Sequence, residues 1–129
     1  AEILAPQFPD LELQIFRDIR ECTMTTRRQD IMDGLEPGEA AACAEQLEQA
    51  WQRIFVPAVG ATDEHDIVVC HGNVIRWFVM RALGVDPAAW LGMSVANCSL
   101  TTIQVRADGS FKVLGVGDSG HIPYPMTTY

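Results

Sequence analysis

Asp66-Ile67-Val68-Val69-Cys70-His71-Gly72-Asn73-Val74-Ile75-Arg76 is the stretch whose reading decides the fold. A short β-branched run entered from a polar loop predicts a strand buried on both faces, as in the middle of a parallel sheet. Gly72 and Asn73 turn the chain, and Val74 to Leu83 reads as a helix apolar nearly all round, closed by Gly84. In open α/β sheets ligands sit outside the C-terminal ends of the strands, where a helix N-terminus attracts anions. His71 falls at that turn, with the backbone N–H groups of Asn73, Val74 and Ile75 near the helix opening. A histidine so placed is charged by the anion it binds or donates a proton to it. Phosphate chemistry is therefore the leading class.

Working outward, Leu11, Leu13 and Ile15 alternate with polar residues and predict a short half-buried strand. Arg17 to Asp33 has no period and reads as a long functional loop. Pro37-Gly38-Glu39 opens the clearest helix, with Ala44, Leu47, Trp51, Ile54, Phe55 and Ala58 on its apolar face and Pro57 and Gly60 closing it. Asp86-Pro87 is an N-cap and first-turn pair for a short helix through Trp90. Leu100 to Arg106 and Phe111 to Val116 are strands joined across Asp108-Gly109, a strong hairpin signal. Trp51, Trp77 and Trp90 are expected in the core or an interface. Ala1 to Leu4 reads as the last turn of a helix ended by Pro6 and Pro9, and a tail so short does not nucleate alone. The order of elements predicts one α/β domain over 1–129, with an antiparallel edge to its sheet.

The 129 residues (14.2 kDa, 48% hydrophobic, 20% charged) suit one globular domain. Nine Lys and Arg against 17 Asp and Glu give a net charge of −8. That surface repels a nucleic-acid backbone or an anionic lipid. The longest apolar run, Val74 to Leu83, is interrupted by Arg76 and Arg81 and is too short to span a bilayer. No nucleic acid and no membrane is expected as partner, and the cytoplasm is the expected compartment. The cysteines at 22, 43, 70 and 98 have no C-x-x-C spacing and read as free thiols. With three scattered histidines, no metal site is expected either.

Two phosphatase mechanisms fit the central stretch. Cys70 and Arg76 stand at the C-x5-R spacing of cysteine-dependent phosphatases and resemble the low-molecular-weight tyrosine phosphatase loop. There a thiolate attacks and Arg forks two phosphate oxygens. Against this, Trp77 stands where that loop continues with Ser or Thr, and the loop lies in mid-chain. The second mechanism uses His71. Asp66 to Leu83, continued by Ala96-Asn97-Cys98-Ser99-Leu100-Thr101 and Gly117-Asp118-Ser119-Gly120-His121, resembles the C-terminal part of the histidine phosphatase (phosphoglycerate-mutase-like) superfamily. It is most similar to the branch of phosphoglycerate-mutase-like Ser/Thr protein phosphatases. Ile19-Arg20-Glu21 is similar to that branch's Leu-Arg-Glu loop.

The resemblance implies a mixed, mostly parallel sheet flanked by helices. It also implies phosphomonoester hydrolysis through a phosphohistidine, with no cofactor. His71 matches the second histidine of the family, which stabilises the phosphoryl charge, and Glu21 the carboxylate that protonates the leaving oxygen. Gly72 and Asn73 would add phosphate-binding donors, while His121, Arg27 and Arg28 are candidates for the substrate side. The substrate would be a phosphorylated small molecule or a phosphoprotein carrying phosphoserine or phosphothreonine; phosphoglycerate mutase activity is a lesser alternative. The family's nucleophile lies in an Arg-His-Gly on its first strand, and no Arg-His-Gly occurs here. The expectation is the C-terminal part of a longer polypeptide lacking that first strand; the alternative is a phosphate-binding module or inactive fragment. A mitochondrial homologue and a homo-oligomer both stay open, the Pro-rich tail from Pro123 to Tyr129 being suited to lie across a neighbouring subunit.

Overall fold

The computed structural model describes all 129 residues. Its frame is α1 (Gln29–Met32), α2 (Glu39–Ile54), α3 (Gly72–Leu83), β1 (Leu100–Val105) and β2 (Phe111–Asp118). Short 3-10 turns stand at Ala5–Gln7, Arg17–Ile19, Pro87–Gly92 and Tyr124–Met126. Along α2, Cys43, Leu47, Ala50 and Trp51 recur at helical spacing and are buried, which is the apolar stripe that fixes the helix against the core. The helix stops earlier than its sequence suggests: Phe55 still donates to the Trp51 carbonyl, but its backbone leaves the helical region at φ −95°, ψ 63°. Ala58 lies beyond it and is exposed. In α3, Val74, Trp77, Phe78, Val79 and Met80 are buried. Gly84 ends that helix in the left-handed region at φ 64°, with the Val85 N–H bonding back to the Met80 carbonyl at 3.2 Å.

The two long helices and the hairpin meet in an aromatic cluster. Trp51 stacks on Phe55 at 4.1 Å and leans on Phe111 of β2 at 4.7 Å, while Phe55 meets Phe78 edge-on at 4.9 Å. All three tryptophans are core residues. β1 and β2 pair antiparallel, and alternate residues of each turn to the core. Asp108 makes the turn between them, its carboxylate accepting the Ser110 N–H. Gly117 is obligatory at its place: φ is 62°, and a Cβ would come within 3.1 Å of the Ser94 carbonyl.

The hairpin is the whole of the sheet. The two other runs read as strands, Leu11 to Ile15 and Asp66 to Cys70, belong to no ladder. No backbone group from Asp66 to Cys70, or from Leu13 to Phe16, makes a backbone hydrogen bond. A strand needs a neighbour to satisfy its N–H and C=O groups, and neither run has one. The α/β class holds, without a parallel pair. Only 14 of the 129 residues are buried, so much apolar side chain is left facing outward. Part of it lines an open cleft of about 460 Å³ bounded by Leu4, Phe8, Leu13, Phe16, Ile67 and Val69 among others. At the N-terminus, Leu4 and Ala5 donate to the Ala1 carbonyl and form a helical turn that runs on through Gln7. Pro6 does not break it, because the first turn needs no N–H there.

The cysteines correct the free-thiol reading. Cys22 and Cys43 form a disulfide across a Cα–Cα distance of 5.7 Å, leaving Cys70 and Cys98 free. The pairing comes from tertiary packing: the buried face of α2 carries Cys43 against the loop that follows the Arg17–Ile19 turn.

Candidate functional site

His71 caps α3, with its own backbone extended (φ −120°, ψ 164°). Its carbonyl accepts the Ile75 N–H at 3.0 Å, so Ile75 is spent on the helix. The free donors are those of Gly72, Asn73 and Val74, none of which makes a backbone hydrogen bond. That set is one residue earlier than the sequence suggests. Together with the helix dipole, these three N–H groups form an anion-attracting mouth beside the imidazole.

Glu21 reaches the same place from 50 residues upstream. Its Oε2 lies 3.7 Å from His71 Nδ1, an ion-pair distance once the imidazole is protonated, and both side chains are about half exposed. An acid and a histidine therefore flank one solvent-open turn, which is the geometry needed to hold an oxyanion and exchange protons with it.

Asn73 does more than its backbone. Its side-chain amide donates to the Cys22 carbonyl at 3.2 Å and accepts from Arg76 Nη1 at 2.9 Å. The side chain is thus committed to tying the Glu21 loop to α3, and only the backbone N–H of Asn73 is free for an anion. The Arg76 guanidinium donates in addition to the Met93 carbonyl at 3.0 Å and lies 5.8 Å from the Trp90 ring. It braces the 87–93 segment.

Burial and hydrogen bonding weigh against the cysteine mechanism. Burial pushes the Cys70 thiol up to about 11; the Glu21 charge adds to that, and the His71 N–H only partly opposes it. At pH 7 about one thiol in ten thousand would be a thiolate. Its intended partner Arg76 is engaged elsewhere.

The substrate-side candidates are held by protein partners. Arg27 pairs with Asp86 at 2.7 Å, and Arg28 takes both oxygens of Asp30 at 2.7 and 2.5 Å. His121 sits with Nε2 3.1 Å from the Cys98 carbonyl, tying the last loop to the turn before β1. Asn97 holds the tail, its N–H bonding the Thr128 carbonyl at 2.7 Å. No three His, Cys, Asp or Glu side chains converge as metal ligands. The sequence reading missed Cys22, Cys43 and Gln46 as neighbours of the site. The available signal was Cys43 and Gln46 one helical turn apart on α2.

The chain belongs to the histidine phosphatase superfamily (branch 1), whose profile matches residues 1–119. Among its relatives, the mitochondrial serine/threonine-protein phosphatase Pgam5 of Caenorhabditis elegans is 45% identical over 82 residues, which is 62% of this chain and 29% of that protein. The mitochondrial serine/threonine-protein phosphatase PGAM5 of Xenopus laevis is 44% identical over 61 residues, 47% of this chain and 22% of that protein. This chain thus spans less than a third of the length of those relatives. A solved phosphoglycerate mutase from Plasmodium falciparum superposes with a TM-score of 0.65 at 29% identity, covering 99% of this chain and 67% of that one.

Proposed function

We propose that this chain is the phosphate-holding part of a metal-independent phosphomonoesterase that works through a phosphohistidine. The observation that carries the reading is the meeting of His71, Glu21 and the three free N–H groups of α3 at one exposed turn. The nucleophilic histidine is absent from these 129 residues, and the cleft between two unpaired strand-like runs is where the strand bearing it would seat. Such a strand would satisfy the backbone of Asp66 to Cys70 and complete the mostly parallel sheet. Residues 1–129 then form one incomplete domain.

In that assembly the nucleophile's ring nitrogen attacks phosphorus as the P–O bond to the leaving group breaks. Glu21 gives its proton to the departing oxygen, and His71 and the N–H groups hold the phosphoryl oxygens. Water then attacks phosphorus, Glu21 takes the water's proton, and the P–N bond breaks to release phosphate. The substrate is a phosphomonoester. The names of the relatives favour phosphoserine or phosphothreonine on a protein over the mutase reaction, and a mitochondrial setting over the cytoplasm.

A second reading, a phosphate binder without turnover, is favoured by the missing Arg-His-Gly. Hydrolysis of p-nitrophenyl phosphate and binding of orthovanadate by the purified natural polypeptide decide between them. Turnover that falls about 100-fold or more in His71→Ala and persists in Cys70→Ser supports the hydrolase. Vanadate binding without turnover leaves the binder. An active His71→Ala with a dead Cys70→Ser overturns both.

A further inference from the structure

Glu21 sits in a loop that supplies almost none of its own support. From Glu21 to Thr26 no residue makes a backbone–backbone hydrogen bond. The residue next to it, Cys22, is instead bonded covalently to Cys43, which is 3% exposed on the core face of α2. Gln46, one turn further along α2, donates to the Arg20 carbonyl at 3.3 Å and lies 3.6 Å from the Cys22 sulfur. Asn73 holds the Cys22 carbonyl from the other side. Glu21 is thus flanked on both sides by residues tied to α2, and one of those ties is a bond that thiol chemistry can open.

We propose that the Cys22–Cys43 disulfide is a redox clamp that sets the position of Glu21 against His71, so that a dithiol reductant detunes the proton-donor step. Cys22 is partly exposed and Cys43 is buried, so the incoming thiolate attacks the Cys22 sulfur. The S–S bond breaks, and Cys43 leaves as a thiolate that takes up a proton. The reductant's second thiol then attacks the mixed disulfide and frees Cys22. Two electrons and two protons pass to the protein, and the dithiol becomes its own cyclic disulfide. Reduced, residues 21–26 keep the burial of Met24, the Thr26 N–H bond to the Met32 sulfur at the far end, and the side-chain ties from Gln46, Asn73 and Trp90, whose indole N–H donates to the Thr25 carbonyl at 3.2 Å; the covalent tie beside Glu21 is gone. Cys22 and Cys43 are positioning residues; neither touches the phosphate.

The role of Glu21 as acid rests on the hydrolase reading, and the test separates the two. The natural polypeptide is assayed oxidised and after dithiothreitol, on p-nitrophenyl phosphate and on a phosphoserine peptide. Nitrophenolate leaves without a proton, whereas a serine alkoxide needs one. The expected result, read in kcat/KM because the later attack of water also uses Glu21 and is common to both substrates, is a fall of about tenfold or more on the phosphopeptide, with p-nitrophenyl phosphate little changed. Oxidised dithiothreitol should restore the rate, and Cys43→Ser should show the reduced behaviour permanently. Equal losses on both substrates, or no loss, overturn the clamp. So does alkylation of Cys22 and Cys43, located by peptide mapping, before any reductant is added. If neither substrate turns over in either state, the hydrolase reading fails. The clamp is then judged by the backbone ¹⁵N order parameters of residues 21–26, which should drop on reduction and overturn it if they do not.

Discussion

Cys70 offers the sharpest discrimination between the two phosphate chemistries that its sequence neighbourhood allows. In a Cys98→Ser variant, with the Cys22–Cys43 disulfide intact, it is the one remaining thiol. Burial, the largest cause, moves it from an ordinary 9.0 to about 11. At pH 8 its thiolate fraction is therefore about a hundredfold below that of an ordinary thiol. A more basic thiolate is intrinsically more nucleophilic, by about sixfold to tenfold over that span. The net reaction with a small electrophile should still be about tenfold slow before any shielding by neighbours. Iodoacetamide modification followed by intact mass should show a rate that climbs about tenfold per pH unit from 7 to 10 without levelling. A free cysteine under the same conditions levels near 9.

The same shift bears on stability, and its sign is opposite to that of a salt-bridged carboxylate. Folding favours the neutral thiol, so the native state binds the extra proton between pH 9 and about 11. Cys70 costs nothing below pH 9, and stability declines by up to about 2.7 kcal/mol as pH rises through that window. Cys70→Ala should remove that part of the alkaline decline. A modification rate that levels off below pH 7 would refute the reasoning, because it would show the thiolate a cysteine phosphatase requires.

Two further outcomes test the frame around the site. Leu47→Ala, at a fully buried position on α2, should destabilise the chain by about 2–5 kcal/mol in urea unfolding, the usual cost of an unfilled core cavity. A loss under 1 kcal/mol would mean that α2 is not packed as described. Asp86 accepts from Arg27 and from the Ala88 N–H, which together hold its carboxyl below the usual range. Its stabilisation is present at neutral pH and is lost as pH falls through that lowered value. Thermal melts should therefore place Asp86→Asn between wild type and Asp86→Ala at pH 7, with the gap to wild type closing in acid; a gap constant with pH would argue against the pairing.

Where the sequence could be read correctly, the cause lay within a few residues. The hairpin followed from Asp108-Gly109, the end of α3 from Gly84, and the cap from Asp86-Pro87, each a local backbone requirement. The turn holding His71 was legible for the same reason. Glu21 was reached only through the resemblance of Ile19-Arg20-Glu21, because nothing local distinguishes that carboxylate from others in an irregular loop. Leu11 to Ile15 and Asp66 to Cys70 have the residue chemistry of strands, yet a ladder is a property of two segments and neither has found a second.

The contacts that sequence leaves unseen share one physical origin. Asn73 follows the turn glycine, and from sequence only its backbone N–H has an assignment, to the anion. In the fold its side chain faces Arg76 one turn along and the Cys22 carbonyl across the gap, and the second of these bonds ties the Glu21 loop to α3. Arg27 and Arg28 read as spare cations until Asp86 and Asp30 are brought beside them. Cys22 and Cys43, separated by 21 positions, read as thiols until α2 turns its core face to the loop. In each case the folded chain itself provides the partner. At the mouth of α3, the N–H groups of Gly72, Asn73 and Val74 are what remain unbonded after those partners are satisfied.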